Sequence, residues 1–395
     1  MEKKITLGTA LILAAFAVLL TFMLTYVGVN NRYNKIIDET QLNNKVIAKL
    51  TEIDSLISAN FMGELDKSKL ADSAASGYVY ALGDTYAQYY SESDYLELTR
   101  YTNGKSVGIG IEITSDKVSG GILIKLVNAG STAMEAGILA GDIIIGVDGV
   151  STDDLTYAEA VERVRGDVGT TVALTILRGE EERQINVVRA EITRNTVHSR
   201  LIGDIGYIKI TDFVETTPND FNSVIDSLTA EGAAKFIFDV RNNPGGLISS
   251  VVSVLDRLLP EGPIVHVIVK GEDKIYDSDA TELTVPVAVL MNEQTASAAE
   301  IFAAAIKDYK KGTLVGTKTF GKGIVQTIYP LSDKSAVKFT TATYNPPFSD
   351  NFNGIGVIPD ISSAYDEAAL AIIAERLLTD DEDTQLQAAI ASLQN

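Results

Sequence analysis

The chain has 395 residues, two histidines, no cysteine and a formal net charge of −20 at pH 7. That length accommodates two or three domains, and the acidity argues against a nucleic-acid partner, which requires a basic stripe. Without cysteine there is no thiol catalysis, disulfide or Cys-ligated zinc; with only His198 and His266 and no H-E-x-x-H, no metal or other cofactor is expected. Chemistry must come from hydroxyls, carboxylates, amines and the backbone.

Ile5 to Val29 carries no charge and is almost wholly apolar or small. About 25 residues at a rise of about 1.5 Å each cover roughly 37 Å, enough for a bilayer core of about 30 Å. The run is too long for a signal-peptide core and no A-x-A site follows it. Residues 1–30 therefore read as an uncleaved signal anchor, making this a single-pass chain. Lys3 and Lys4 before the span and Arg32 and Lys35 after it leave little asymmetry to orient it. The lack of cysteine fits a bacterial cell-membrane protein whose remaining domains are extracytoplasmic.

Residues 31–104 read as a helical arm. Ile36, Ile37, Leu42, Val46, Ile47, Leu50, Ile53, Leu56 and Ile57 recur mostly at three- and four-residue spacings, and an Ala-rich segment, Leu65 to Leu82, ends at Gly83. Tyrosines are dense between Tyr78 and Tyr101, a pattern that favours core or interface over a ligand cage. An arm just outside a membrane suggests a stalk or a homodimer contact.

From residue 105 to 190 the pattern changes to short strands and turns, with a block A-G-S-T-A-M-E-A-G-I-L-A-G-D-I-I-I-G-V-D-G-V and a helix-like T-Y-A-E-A-V-E-R-V-R. This segment resembles a PDZ domain in the circular order found in bacterial proteases. Gly108-Ile109-Gly110-Ile111 is similar to the carboxylate-binding loop of that domain. Taken alone, G-x-G is equally an ordinary tight turn. In the PDZ reading the backbone of Val107, Gly108, Ile109 and Gly110 cradles a peptide C-terminus while the peptide adds a strand to the sheet.

Residues 191–365 read as α/β. Ile205 to Ile210 and Phe236 to Val240 are apolar runs suited to buried strands. Strand–turn–helix units follow at Phe236 and at Val285, which implies adjacent parallel strands opening onto one crevice. The turns Asn242 to Gly246 and Asn292 to Ser297 should face each other there. Residues 366–395 look helical with an acidic break, and either pair with the N-terminal arm in a dimer or cap the core.

Ser297-Ala-Ala-Glu300 fits the capping box S-x-x-E, in which the hydroxyl and carboxylate serve the helix N-terminus. Lys322 alone reads as a loop lysine and Gln326 as a strand-surface amide. At period two, residues 322 and 326 share a face, so spacing allows the two to cooperate. There is no G-x-S-x-G elbow, and His266 within I-V-H-V-I-V reads as a packed strand residue.

Four segments together change that balance: Asp239-Val-Arg-Asn-Asn-Pro-Gly-Gly246, Asn292-Glu-Gln-Thr-Ala-Ser-Ala-Ala-Glu300, Gly316-Thr-Lys-Thr-Phe-Gly-Lys-Gly-Ile-Val-Gln326 and Gly354-Ile-Gly-Val-Ile-Pro-Asp360. They resemble the carboxy-terminal processing (tail-specific) serine proteases, as does Leu82-Gly-Asp-Thr-Tyr-Ala-Gln-Tyr-Tyr90 ahead of the PDZ-like segment. The resemblance implies a membrane-anchored α/β chain with a helical arm, a PDZ-like domain and a crotonase/Clp-like protease core. It implies Ser297 as nucleophile, Lys322 as base and Gln326 as the residue orienting the base, acting on proteins or peptides with accessible C-termini. The oxyanion donors expected are the Ala298 amide and an amide of Gly245 or Gly246. Arg165 takes the place of a family arginine that couples the PDZ domain to the active site, although an arginine at a helix C-terminus is also an ordinary dipole contact. The alternative to an active peptidase is a catalytically silent scaffold that only binds C-terminal tails.

The chemistry is self-consistent. A serine hydroxyl attacks an amide only if a neighbour takes its proton. A lysine with a pKa near 10.4 is neutral at pH 7 in about one molecule in 2,500. Lys322 should therefore be desolvated, with an uncharged partner in Gln326.

Overall fold

The computed structural model describes residues 23, 44–115, 121–128, 130–279, 281–366, 369–370, 373 and 378–394. The proposed span Ile5 to Val29 lies, but for Met23, outside them; among the described residues no helix is long and apolar enough to cross a membrane. The chain divides into two compact units, Met1–Ser73 and Ala74–Asn395. In the first, residues 44–60 are helical and leave Ile47, Leu50, Ile53 and Leu56 exposed.

The helical reading of residues 31–104 holds for 44–60, Lys67–Tyr80 and Glu92–Thr102, but not for Gln88–Tyr90, which is a strand. It pairs antiparallel with Ala336–Lys338. A three-residue edge strand is too short to show period two, and its Gln-Tyr-Tyr composition suits a pleated, half-buried surface. Ser91 then caps the following helix, accepting from the Asp94 N–H at 3.3 Å.

The PDZ-like segment folds as an antiparallel sheet in the order Ile111–Ser115, Ile122–Val127, Ile143–Val147, Thr171–Arg178 and Glu181–Val188. Alternating residues bury Ile124, Ile144, Val172, Leu174 and Ile176 in a core of its own. Its helix Tyr157–Val164 carries a full capping box from Thr156 and Glu159. The segment joins the rest of its unit beside a two-stranded ribbon of Lys105–Gly108 and Ala190–Thr193.

The α/β segment is built on a six-stranded sheet ordered Val197–Ile202, Ile205–Ile210, Lys235–Asp239, Val287–Met291, Gly312–Gly316 and Ile361–Ser362. The first pair is antiparallel and the remaining pairings are parallel. All five residues of Val287–Met291 are buried, as a strand covered on both faces requires. The helices Thr217–Ala230, Ile248–Asp256 and Ala298–Asp308 cover one face, with Phe221, Phe238 and Phe302 at the centre. On the other face Leu386, Ala389 and Leu393 of the C-terminal segment pack against Tyr207, Ile237 and Leu290, so the helix Thr384–Ser392 caps the core. A second, antiparallel sheet contains Gly262–Val269, Glu272–Ser278, Ile324–Pro330 and Ala336–Asn345. His266 sits within it, partly exposed, with Nδ1 2.8 Å from Asp273.

Candidate active site

The parallel strands Lys235–Asp239 and Val287–Met291 are neighbours, and their two C-terminal turns interlock as the sequence leads one to expect. Asn242 and Asn292 bond reciprocally: the Asn242 N–H donates to Asn292 Oδ1 at 2.9 Å, and Asn292 Nδ2 donates to Asn242 Oδ1 at 2.7 Å. Thr295, fully buried, donates its hydroxyl to the Val240 carbonyl at 2.8 Å. The Ala296 N–H reaches the Asn243 carbonyl at 3.0 Å. These contacts bring Gly245 so near the serine turn that a Cβ there would lie 2.7 Å from the Ala296 oxygen and 2.8 Å from the Ala298 nitrogen. Glycine is required by that approach and by a φ of 104°.

Ser297 stands at the N-cap of the helix Ala298–Asp308 with φ 56° and ψ −121°. A non-glycine residue at such angles carries strain of about 1–3 kcal/mol and persists only where its surroundings hold it. The glycine positions of G-x-S-x-G are filled here by Thr295 and Ala299, so a strand–turn–helix elbow exists without its usual spelling. The helix start also leaves the Ala298 N–H without a backbone acceptor among the described residues, and the same is true of the Gly246 N–H. The Gly245 N–H, by contrast, is taken by Asn243 Oδ1 at 2.8 Å.

Glu300 holds this geometry together. It is fully buried, and its carboxylate accepts four hydrogen bonds: from the Ser297 N–H at 2.9 Å, the Lys322 N–H at 2.8 Å, the Gly321 N–H at 2.7 Å and the Thr319 hydroxyl at 2.6 Å. S-x-x-E foretells the first of these. The other three tie the serine helix to the lysine loop.

Lys322 lies on the loop before the strand Ile324–Pro330, and Tyr344 donates its hydroxyl to the Lys322 carbonyl. Burial pushes the Lys322 amine below its ordinary pKa and the nearby charge of Lys338 adds to this, while Glu300 and Asp84 oppose it. The amine sits 4.5 Å from the centre of the Tyr86 ring. Gln326 Nε2 donates to Thr340 Oγ1 on the adjacent strand at 3.2 Å. Lys322 and Gln326 do not share a strand face: the strand begins at Ile324, and an irregularity in pairing falls between Val325 and Gln326. Among the described residues no hydrogen bond joins the Lys322 amine to Ser297 or Gln326. The sequence reading did not single out Tyr344, which is almost fully buried and bonded to the backbone of the lysine loop.

A second buried network backs the turn from behind. Arg241 spans both Asp239 oxygens, at 2.9 and 2.7 Å, and reaches Gln385 at 3.0 Å and Asp383 at 3.1 Å. Tyr207 donates to Asp239 at 2.6 Å. The D-V-R of the turn thus anchors the C-terminal helix and fixes where the Asn-Asn-Pro-Gly-Gly stretch begins.

In the PDZ-like segment, Val107 and Gly108 pair with Glu191 and Ala190, and Ile109 is buried. Among the described residues, no backbone carbonyl accepts from the Ile109 or Gly110 N–H. Gly110, at φ 82°, packs so closely that a Cβ would lie 2.4 Å from Ser131 Cβ. Arg165 pairs with Glu162 at 2.9 Å on an exposed surface and is not brought to the serine. Arg189, from the end of the PDZ-like sheet, serves the helix C-terminus instead, donating to the carbonyls of Arg163 at 2.7 Å and Val164 at 3.0 Å. Among the described residues, no cluster of three or more His, Cys, Asp or Glu is placed to hold a metal ion.

A PDZ fold preceding an α/β core with a strained serine at a strand–helix turn is the architecture of a serine peptidase. Residues 204–363 match the profile of Peptidase family S41 and residues 96–177 that of the PDZ domain. The chain is 35% identical over 329 residues to a carboxy-terminal-processing protease of Bartonella bacilliformis, covering 80% of this chain and 75% of that one. It is 31% identical over 364 residues to a probable CtpA-like serine protease of Staphylococcus aureus, covering 91% and 71%. A putative S41 protease of Bacteroides fragilis shares the fold at 17% identity, with a TM-score of 0.53 over 80% of this chain and 88% of that one. The chain belongs to the carboxy-terminal-processing proteases of peptidase family S41.

Proposed function

We propose that this peptidase cuts proteins and peptides near their C-termini with Ser297 as nucleophile and Lys322 as general base. The observation carrying this reading is that one buried carboxylate, Glu300, fixes both the strained Ser297 backbone and the Lys322 loop opposite the Gly245-Gly246 turn. The neutral Lys322 amine takes the Ser297 Oγ proton as Oγ bonds to the scissile carbonyl carbon. The resulting oxyanion accepts from the Ala298 N–H and from the Gly246 N–H, since the Gly245 N–H is engaged by Asn243. The Lys322 ammonium then gives its proton to the leaving amine, and the C–N bond breaks to leave an acyl-enzyme. Water, deprotonated by the same amine, hydrolyses the ester and restores Ser297. Gln326 orients the amine without adding charge, which requires its amide to leave Thr340. The substrate's terminal carboxylate rests on Val107, Gly108, Ile109 and Gly110 of the PDZ domain. Ile5 to Val29 anchors the chain in the bacterial cell membrane with the peptidase outside, and the arm before the PDZ domain pairs two copies.

The test is cleavage of a C-terminal-tail peptide by wild type, Ser297→Ala and Lys322→Ala, with intact-mass detection of the acyl-enzyme. Wild type turns over and accumulates a mass adduct that both variants lack. Equal turnover in all three ends the Ser–Lys assignment. Carbonate extraction of membranes and light scattering of the detergent-solubilised full chain check the anchor and the dimer respectively.

A further inference from the structure

The turn ahead of the PDZ domain reaches into the catalytic site. Asp84 Oδ1 accepts from the Tyr86 N–H at 2.9 Å, and Oδ2 accepts from the Thr340 N–H at 2.7 Å. Two residues beyond Tyr86 the strand Gln88–Tyr90 adds to the edge of Ala336–Asn345. A strand pairing and the Thr340 N–H bond to Asp84 therefore pin the turn beside the lysine loop, with the Tyr86 ring presented to Lys322 Nζ at 4.5 Å. The residue that engages Gln326 is Thr340, whose backbone N–H is the one Asp84 holds.

We propose that Tyr86 is a positioning residue for Lys322: its ring face holds the amine as an ammonium, apart from Gln326, so the turn before the PDZ domain sets how readily the base is freed. This rests on Lys322 being the base. An aromatic face attracts a cation through its quadrupole and gives a neutral amine little in return, so the contact favours the protonated form. The other groups facing the amine are accounted for. Lys338, from the strand Ala336–Asn345, opposes the ammonium; Glu300, from the helix, and Asp84, from the turn, favour it. Tyr344 is buried, and burial raises its phenol well above the ordinary value, so it stays neutral. Among the described residues, Tyr86 alone has its ring in cation–π contact with the amine.

The distinguishing substitution is Tyr86→Leu, which keeps apolar cover over Lys322 and removes only the π face. Tyr86→Phe keeps the face, and Tyr86→Trp strengthens it. Two midpoints are measured on the full chain: the acid limb of kcat/KM for a tail peptide, and the Lys322 amine by NMR of 13C-labelled lysine in the Ser297→Ala background. The Lys322 resonance is assigned by its loss in Lys322→Arg. Tyr86→Leu should move both midpoints down by about 0.5–1 pH unit, raising relative activity on the acid side by about three- to tenfold. Tyr86→Phe should leave both midpoints in place, and Tyr86→Trp should move them up. Identical NMR midpoints in Tyr86→Leu and wild type overturn the proposal. If Tyr86→Leu does not fold, Tyr86→Trp decides it with the opposite sign. Loss of the base assignment has a different signature, an acid limb that persists in Lys322→Ala.

Discussion

Glu300→Gln removes one acceptor oxygen and adds two N–H groups at a site with no solvent access. Each of these hydrogen-bond partners of the carboxylate is a donor. One oxygen takes the Thr319 hydroxyl and the Gly321 N–H, the other the Lys322 and Ser297 N–H groups. An amide offers only one oxygen. With its nitrogen turned to the first pair, the Gly321 N–H is orphaned, and the Thr319 hydroxyl, already accepting from the Val357 N–H at 2.7 Å, must turn away. With its nitrogen turned to the second pair, the Lys322 and Ser297 N–H groups are both orphaned. One or two buried donors left unpaired, at about 1–3 kcal/mol each, give a destabilisation of about 3 kcal/mol. At about 2–4 °C per kcal/mol the core should melt about 6–12 °C lower. Activity should suffer more than stability, because the strain at Ser297 has lost part of what maintains it, and a displacement of about 1 Å at a reacting group costs on the order of 100-fold. The expected result is kcat for a tail peptide reduced at least about 100-fold, with the affinity of the same peptide for the PDZ domain unchanged. Differential scanning calorimetry, single-turnover kinetics and peptide titration measure the three quantities. Wild-type kcat in Glu300→Gln refutes the claim that this carboxylate sets the serine and lysine geometry, whatever the melting temperature shows.

Gly245→Ala should abolish measurable turnover, because its Cβ meets the Ala296 oxygen at 2.7 Å in a backbone conformation that alanine resists; a peptide-cleavage assay reads this directly. Arg241→Ala should cost about 3–5 kcal/mol in denaturant melts by leaving Asp239 buried without its cation. In the wild type, burial pushes the Asp239 carboxyl up, but the Arg241 charge and hydrogen bonds outweigh it and hold the group below the ordinary carboxylate range. Because the folded value is the lower one, this stabilisation is complete above about pH 4 and drains away as pH falls through the folded value. In melts at successively lower pH the gap between wild type and Arg241→Ala should therefore narrow. Gly110→Ala should weaken tail-peptide binding by at least about tenfold in calorimetric titration, since the clash with Ser131 displaces the N–H groups of the loop, while cleavage of a short peptide that bypasses the PDZ domain stays the same.

The facing turns were legible because they rest on local pattern, buried apolar runs, Gly-rich turns and a capping box, whereas the PDZ and peptidase readings rested on family resemblance. The S-A-A-E reading was right in one half, the Glu300 bond to the Ser297 N–H. Its other three partners lie 19 to 22 positions away on a loop whose path no periodicity encodes. The positive φ of Ser297 was hidden because Thr295 and Ala299 stand where the G-x-S-x-G motif has its glycines. Gln326 defeated the period-two argument because Lys322 stands outside the strand. The reach of the N-terminal turn into the site was invisible for a plainer reason: Asp84 and Thr340 are 256 positions apart. The C-terminal segment, equally consistent with a dimer arm or a cap, is settled by burial of Leu386 and Ala389 against the sheet.

The lysine base proposed for Lys322 is an unexpected choice for a chain of net charge −20, since every nearby carboxylate favours the ammonium. The carboxylates near Lys322 are, however, already committed. Glu300 spends its oxygens on three backbone N–H groups and a hydroxyl, and Asp84 on the N–H groups of Tyr86 and Thr340. Among the described residues neither forms an ion pair with the amine, so each acts on it through distance, and Lys338 supplies a like charge in the opposite sense. Burial then decides the direction, and the amine is pushed down. An uncharged Gln326 nearby preserves that result, whereas a glutamate in its place would restore the ammonium. The proposed base thus depends on burial outweighing two carboxylates whose oxygens are already committed to other hydrogen bonds.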